Sequence, residues 1–528
     1  MKRPSLWLFV LACCSSASPA FSADGYQRVA GLDVIHYRIG LTIDATDSVV
    51  TGETGILVSF TQDGVTRIPF DLGIMMVDEV TVNTTKAVFT HDQKKLTVTL
   101  PEAYPSGTRR TVTIKYHGQP RDGLFIMKNK FGDRTIFADN FSNRAHHWFP
   151  GIDHPYDKAT AEFIITAPEA YDVIAPGRLM ERTHLKNGTR RTHWRTKTEI
   201  PTYCMVIGAT QFSVIQAGSW NGIPVSYYLY PEDRENGITD FERSLRMLEF
   251  YTKLIGPYPY SKLALVESTT RYGGMENASA IFFSERSIRG TKQGEGTVAH
   301  EIAHQWFGDS VTETDWHDVW LSEGFATYFG ALFFERDEGR DRFMEMMTRN
   351  KDRYLRTFAS TPGPIHDPRK TDLSDVLTSF HYVKGAWVLH MLRGIMGDNA
   401  FFAGIRDYYR TYRDRNATTD DLQRVMAFHA GQPLGWFFQQ WIYEPGHPIY
   451  ALDWTWNAQA KQAEVRIRQT QAGTVYEMPL NLAFYTGDTV VRKKIQSNGK
   501  EQRVTISLEA EPERVVLDPD GWILKEMK

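Results

Sequence analysis

Two histidines bracket an acid in His300-Glu301-Ile302-Ala303-His304, and after eighteen intervening residues Glu323 stands in Trp320-Leu321-Ser322-Glu323-Gly324. In a helix, residues four apart share one face, with Cβ atoms about 5–6 Å apart. Imidazoles so placed can bind one metal ion through nitrogens at roughly 2.0–2.1 Å. Glu301 lies one position past the first histidine. It can flank the ion without ligating it, which suits a base acting on water that the metal activates. With Glu323 as third ligand a fourth position stays open, the mark of a catalytic rather than a structural zinc.

The five-residue motif alone is weak, since a helix with a solvated Glu and two ordinary histidines also fits it. Its surroundings favour the metal. Gly308 stops the helix, and Glu323 opens a second apolar run, Phe325-Ala326-Thr327-Tyr328-Phe329, which can hold it on a rigid element. Water on zinc can reach a pKa of about 7. Glu301 would take its proton as a carbonyl is attacked and pass it to the leaving amine. The oxyanion then needs a donor, and the substrate needs a selector. Spacing names neither, because both come from other segments.

The elements that must position these groups differ along the chain. From 24 to 219 the pattern has period two, as in Tyr37, Ile39, Leu41 and Ile43, with frequent turns, and reads as an antiparallel β-domain. From 220 to 445 the period becomes helical. Phe241, Leu245, Leu248 and Ile255 fit one helical face, closed by Gly256-Pro257, and a strand at 263–267 leads to Tyr272-Gly273-Gly274-Met275-Glu276-Asn277. Helices are expected over 332–355, 383–395, 401–412, 420–429 and 434–443. Glu444-Pro445-Gly446-His447-Pro448 breaks them, and 446–528 reads as a β-sandwich.

A chain of 528 residues exceeds one core and points to three or four domains. Hydrophobic residues at 42% and charged residues at 23% are ordinary for a globular protein, and a net charge of −3 gives no basic surface for nucleic acid or anionic membrane. Residues 1–23 read as a cleaved secretory signal: Lys2-Arg3, an apolar stretch from Leu6 to Ala12, then small residues to Ala23. The apolar stretch is too short to span a bilayer. Val10-Leu11-Ala12-Cys13 also resembles a lipoprotein processing box, which would anchor the protein through Cys13. The expected location is outside the cytoplasm, periplasmic or secreted. After cleavage only Cys204 remains, in an apolar run, so no internal disulfide is expected and the thiol reads as buried and inert.

The zinc motif with its flanking Trp-Phe-Gly and Glu-Gly-Phe-Ala, together with Gly273-Gly274-Met275-Glu276-Asn277 just upstream, resembles the aminopeptidase N family of gluzincin metallopeptidases. Trp148-Phe149-Pro150, Asp153, Pro155 and Lys158-Ala159-Thr160 extend the likeness into the β-domain. The resemblance implies one zinc ion per chain, held by His300, His304 and Glu323, and peptide substrates with a free N-terminus. It implies that Gly273, Gly274, Met275, Glu276 and Asn277 bind substrate, with Glu276 on the α-amine, and that Tyr382 donates to the oxyanion beside the base Glu301. By residue type alone the first is a tight turn and the second a packed tyrosine. The implied fold is a multidomain α+β one: an antiparallel β saddle, a thermolysin-like mixed α/β catalytic domain and a C-terminal β-sandwich.

Two departures stand out. Where many members place a Gln or Glu against the amine, this chain reads Phe137-Ala138-Asp139-Asn140-Phe141-Ser142-Asn143-Arg144, so Asp139 or Asn140 is the substitute to examine. The large helical domain that many members carry after the sandwich is not in this sequence. Two other functions compete: a lipid-epoxide hydrolase that is also an aminopeptidase, which needs a narrow apolar tunnel, and a catalytically silent peptide-binding module.

Overall fold

The computed structural model describes residues 24–43 and 47–528. The expected leader, with Cys13, lies outside them. Alternation builds the first domain. In the strand Leu32–Ile43, Val34, Tyr37, Ile39, Leu41 and Ile43 are buried while Asp33, Arg38 and Thr42 are exposed. This strand lies centrally in a nine-stranded sheet, flanked by Val50–Phe60 and Lys158–Pro168. The pairing with Lys158–Pro168 is parallel, His36 opposite Thr160 through Thr42 opposite Thr166, so the domain is not wholly antiparallel. The long connection between these strands, which holds the three-stranded sheet of Val65–Asp71, Lys95–Tyr104 and Val88–His91 and further strands of the large sheet itself, permits the parallel return.

The second unit opens with a mixed sheet in the order Ser213–Trp220, Ile223–Leu229, Leu263–Ser268, Ala280–Ser284, Gly274–Met275. Its first strand therefore pairs forward across residue 219. The helices Arg234–Phe241, Ser244–Leu254 and α1 (Glu295–His304) lie against it, α2 (Trp320–Glu338) packs on α1, and α3 (Arg340–Ser360) and α4 (Ser379–Met396) pack on α2. The helical run expected over 332–355 is two helices, because Gly339, at φ 98°, ends α2 and starts α3. The face expected over 241–255 is likewise divided between Arg234–Phe241 and Ser244–Leu254.

The last unit is two sheets, in the orders Glu501–Ser507, Gln462–Gln469, Ile449–Asn457, Glu526–Met527 and Thr489–Ser497, Met478–Thr486, Arg514–Leu517. Val465, Ile467, Leu480, Leu482 and Phe484 are buried between them. Among the described residues no helix is long and apolar enough to cross a membrane.

Candidate active site

Helix α1 brings His300 and His304 onto one face, with their Nε2 atoms 2.9 Å apart. Helix α2 delivers Glu323, whose Oε2 lies 3.2 Å from His300 Nε2 and 3.3 Å from His304 Nε2. Close helix approaches make this possible. A Cβ on Gly330 of α2 would press on the His300 backbone at 3.4 Å. Gly324 meets Gly385 of α4 so tightly that a Cβ would lie 3.0 Å from its Cα. That crossing sets Glu323 beside Tyr382, whose ring stacks near His300 at a centroid distance of 6.0 Å.

The histidines are oriented from behind. His304 Nδ1 donates to the Phe307 carbonyl at 3.1 Å and stands 3.0 Å from Ser322 Oγ, which leaves Nε2 to face the cleft as an acceptor. His300 Nδ1 faces Thr327 Oγ1 at 3.5 Å. Buried Glu323 Oε2 has no hydrogen-bond partner among the described residues. A buried carboxylate oxygen left so, between two imidazole nitrogens, fits a cation held by all three. Donors about 2.0–2.1 Å from one tetrahedral ion sit roughly 3.3 Å apart, close to the separations here.

The strand Gly274–Met275 forms the opposite wall, at the edge of its sheet. Gly274 packs on the base candidate: a Cβ there would overlap Glu301 Cγ and Cδ at 2.5 Å. Glu276, Glu301 and His304 each place one polar atom within 4.8 Å of the other two. Glu276 is 4% exposed and Glu301 5%. Gly273, Gly274, Met275 and Glu276 line a cleft of about 440 Å³ with the histidines, Glu301, Glu323 and Tyr382. Asn277 is wholly buried behind that wall, its carbonyl accepting from Ala280 N at 2.9 Å.

Burial dominates the electrostatics. It pushes the Glu276 carboxyl up to about 7, with His304 opposing and the Glu323 charge adding to the rise. Glu301 is raised well above the carboxylate range by burial and by Glu276, against the pull of His304. Burial would raise Glu323 too, but the two imidazoles override it and hold the carboxyl far below its usual range. Tyr382 is raised by burial and by the nearby Glu323, so its phenol keeps its proton.

Neither substitute considered for the missing polar contact faces the cleft. Asp139 is clamped by Arg144 at 2.5 Å and by Thr270 Oγ1 at 3.2 Å. Asn140 donates to the Thr202 and Met205 carbonyls at 3.2 and 2.8 Å and accepts from Trp148 Nε1 at 2.8 Å. Phe141 lines the cleft instead. A residue the motifs did not flag, Gln305, secures Glu276: its Nε2 donates to the Glu276 carbonyl at 2.5 Å and to Asp309 at 2.8 Å, and its Oε1 accepts from Ser279 N at 2.7 Å. Its position directly after His304 was the available signal.

The Peptidase M1 N-terminal domain model matches residues 34–204 and the Peptidase family M1 domain model residues 239–441. The chain is 28% identical over 406 residues to the tricorn protease-interacting factor F2 of Thermoplasma acidophilum, covering 73% of this chain and 50% of that one. It is 29% identical over 360 residues to human endoplasmic reticulum aminopeptidase 2, covering 63% and 37%. It thus spans half or less of the length of these relatives. An M1 zinc metallopeptidase from Deinococcus radiodurans superposes with a TM-score of 0.67 at 26% identity, covering 79% of this chain and 94% of that one. A mutant of that enzyme bound to the substrate Tyr-Ser-Ala gives 0.68 at 25% identity, covering 80% and 96%. The metal that suits the His–His–Glu donor set is the zinc of these solved relatives. With both domain models matched in order along one chain, the protein belongs to peptidase family M1, the aminopeptidase N-like zinc metallopeptidases.

Proposed function

We infer that the protein is an aminopeptidase, removing N-terminal residues from peptides with a free α-amine. The observation that carries this is the nearness of Glu276 to the metal-facing groups: its carboxylate oxygen lies within 4.8 Å of Glu301 and His304. In an amino acid the α-nitrogen and the carbonyl carbon are about 2.5 Å apart. An ammonium held on Glu276 therefore leaves the first carbonyl of a peptide, and no later one, beside His304 and Glu301. The buried carboxylate forms a charge-assisted pair with that ammonium.

A zinc ion held by His300, His304 and Glu323 supplies Lewis acidity, polarising the carbonyl and lowering the pKa of water toward 7. Glu301 takes the water's proton and returns it to the leaving amine. The Tyr382 hydroxyl, still protonated, donates to the oxyanion that develops on the substrate. The edge strand Gly274–Met275 offers its backbone to an extended substrate, which adds as a further strand. Asn277, behind that strand, contributes its backbone carbonyl to the turn that follows Glu276.

A lipid-epoxide activity would need a narrow apolar tunnel. The cavity adjoining the cleft instead presents Arg144, Asp153, Arg271, Arg353 and Asp372, which favours the peptide reading. The same proposal takes the protein as exported, with residues 1–23 removed as a leader. The test is turnover of amino-acid arylamides by purified protein with its metal content measured. Activity should vanish on chelation and return with zinc. Metal-loaded protein that cuts no arylamide would sink the inference.

A further inference from the structure

The cleft continues past Tyr382. Phe141, Tyr272, Arg353 and Tyr382 belong both to its wall and to that of a second cavity of about 850 Å³. The hollow so formed is electrically polarised. Its inner end carries Glu276, Glu301 and Glu323, and three arginines, Arg144, Arg271 and Arg353, stand along the outer part. Two of these are occupied. Arg144 pairs with Asp122 at 3.0 Å and Asp139 at 2.5 Å, and Arg271 reaches Asp122 at 3.3 Å. The acids of the outer wall are engaged as well: Asp153 accepts from His146 at 2.7 Å, Asp24 from His154 at 2.6 Å, and Asp372 has its own contacts.

Arg353 differs. It is exposed on α3, at the junction of the two cavities. Among the described residues its carbonyl accepts from Thr357 Oγ1 at 3.0 Å, while its guanidinium has neither a hydrogen bond nor an ion pair. An unpaired guanidinium facing a hollow is a ready fork for a carboxylate. A short peptide has one charge of each sign, at opposite ends. The shared wall gives a peptide whose ammonium sits on Glu276 a way outward past Tyr382 toward Arg353.

We propose that Arg353 anchors the C-terminal carboxylate of short peptide substrates, so that the hollow reads both ends of the chain. This rests on the aminopeptidase reading of the cleft. It makes Arg353 a specificity determinant for oligopeptides, acting on binding rather than on bond cleavage.

The test uses zinc-loaded full-length protein and compares Ala-Ala-Ala, and longer alanine peptides, with their C-terminal amides. The acid should exceed its amide in kcat/KM by about tenfold at the favoured length, chiefly through KM. Arg353→Gln should bring that ratio toward one, and Arg353→Lys should restore part of it. Equal turnover of acid and amide by the unsubstituted protein, or a ratio that survives Arg353→Gln, would overturn the proposal. So would an amide bearing Glu near its end that is cut as well as the acid, since the anchor would then read side chains. If arylamides and peptides alike went uncut, the fault would lie with the aminopeptidase reading beneath it.

Discussion

The Glu276 carboxylate is 4% exposed, and its carbonyl is tied to Gln305, so its place is fixed before substrate arrives. Glu276→Gln keeps the shape and removes the charge. It should cut kcat/KM on free-amine substrates about 10- to 100-fold, the weight of one buried charge-assisted hydrogen bond. Discrimination against N-acetylated substrates, read in parallel assays, should shrink with it. Tyr382→Phe removes only the hydroxyl proposed to donate to the oxyanion and should lower kcat roughly 100-fold with KM little changed. Unaltered kcat would remove Tyr382 from the chemistry. Glu301→Gln should retain zinc by metal analysis yet lose about 100-fold or more in turnover. The histidines, Glu301 and Glu323 were legible in the sequence because spacing within a helix and a rigid second element fix their geometry. Phe141 and Gln305 were not, for their contacts join segments far apart in the chain, and Arg353 was not, because only the folded cavities show what it faces.

Glycine decides how closely the elements of the site approach. Gly274 leaves room for the Glu301 side chain, and Gly324 against Gly385 lets α2 and α4 cross nearly in contact. Gly274→Ala should displace Glu301 and depress turnover while thermal stability and zinc content stay near those of the parent. A Gly324→Ala substitution has only backbone to push against, so it should destabilise the fold by about 1–3 kcal/mol, measured by denaturant unfolding. Periodicity found the helices but not these crossings, because a glycine inside an apolar run carries no sign of what faces it. The break at Gly339 has a different cover: it falls in the charged stretch Glu335-Arg336-Asp337-Glu338-Gly339-Arg340-Asp341-Arg342, which reads as one solvated helical face although the backbone turns at φ 98°. The alternating strands of the first domain were readable, whereas the parallel pairing of Leu32–Ile43 with Lys158–Pro168 depends on topology that alternation does not encode.

Three side chains of the β-domain hold the turn that follows the metal helix. Lys158 Nζ donates to the Asp309 and Ser310 carbonyls at 3.0 and 2.7 Å, Tyr203 OH to the Gly308 carbonyl at 3.0 Å, and Cys204 Sγ to Asp309 Oδ1 at 3.2 Å. The single described cysteine is thus buried and spent on packing, as its apolar run implied. From the other end of the chain, Trp522 stacks on His390 of α4 at a centroid distance of 4.6 Å, and His390 Nε2 donates to the Gly521 carbonyl at 3.1 Å. The outer units therefore brace the turn after α1 and helix α4, the elements next to His300, His304 and Tyr382. Lys158→Met should leave a buried carbonyl unsatisfied and lower unfolding stability by about 1–3 kcal/mol, with an unchanged denaturation midpoint as the contrary result. The Lys158-Ala159-Thr160 likeness marked the segment without revealing what it grips.

The central claim is that zinc and Glu276 together measure one residue from the chain start. It is tested most directly by following a pentapeptide and its N-acetylated twin by mass spectrometry with the zinc-loaded protein. The free peptide should lose residues singly from its N-terminus while the acetylated one persists. Internal fragments from either peptide, or equal consumption of both, would contradict the account.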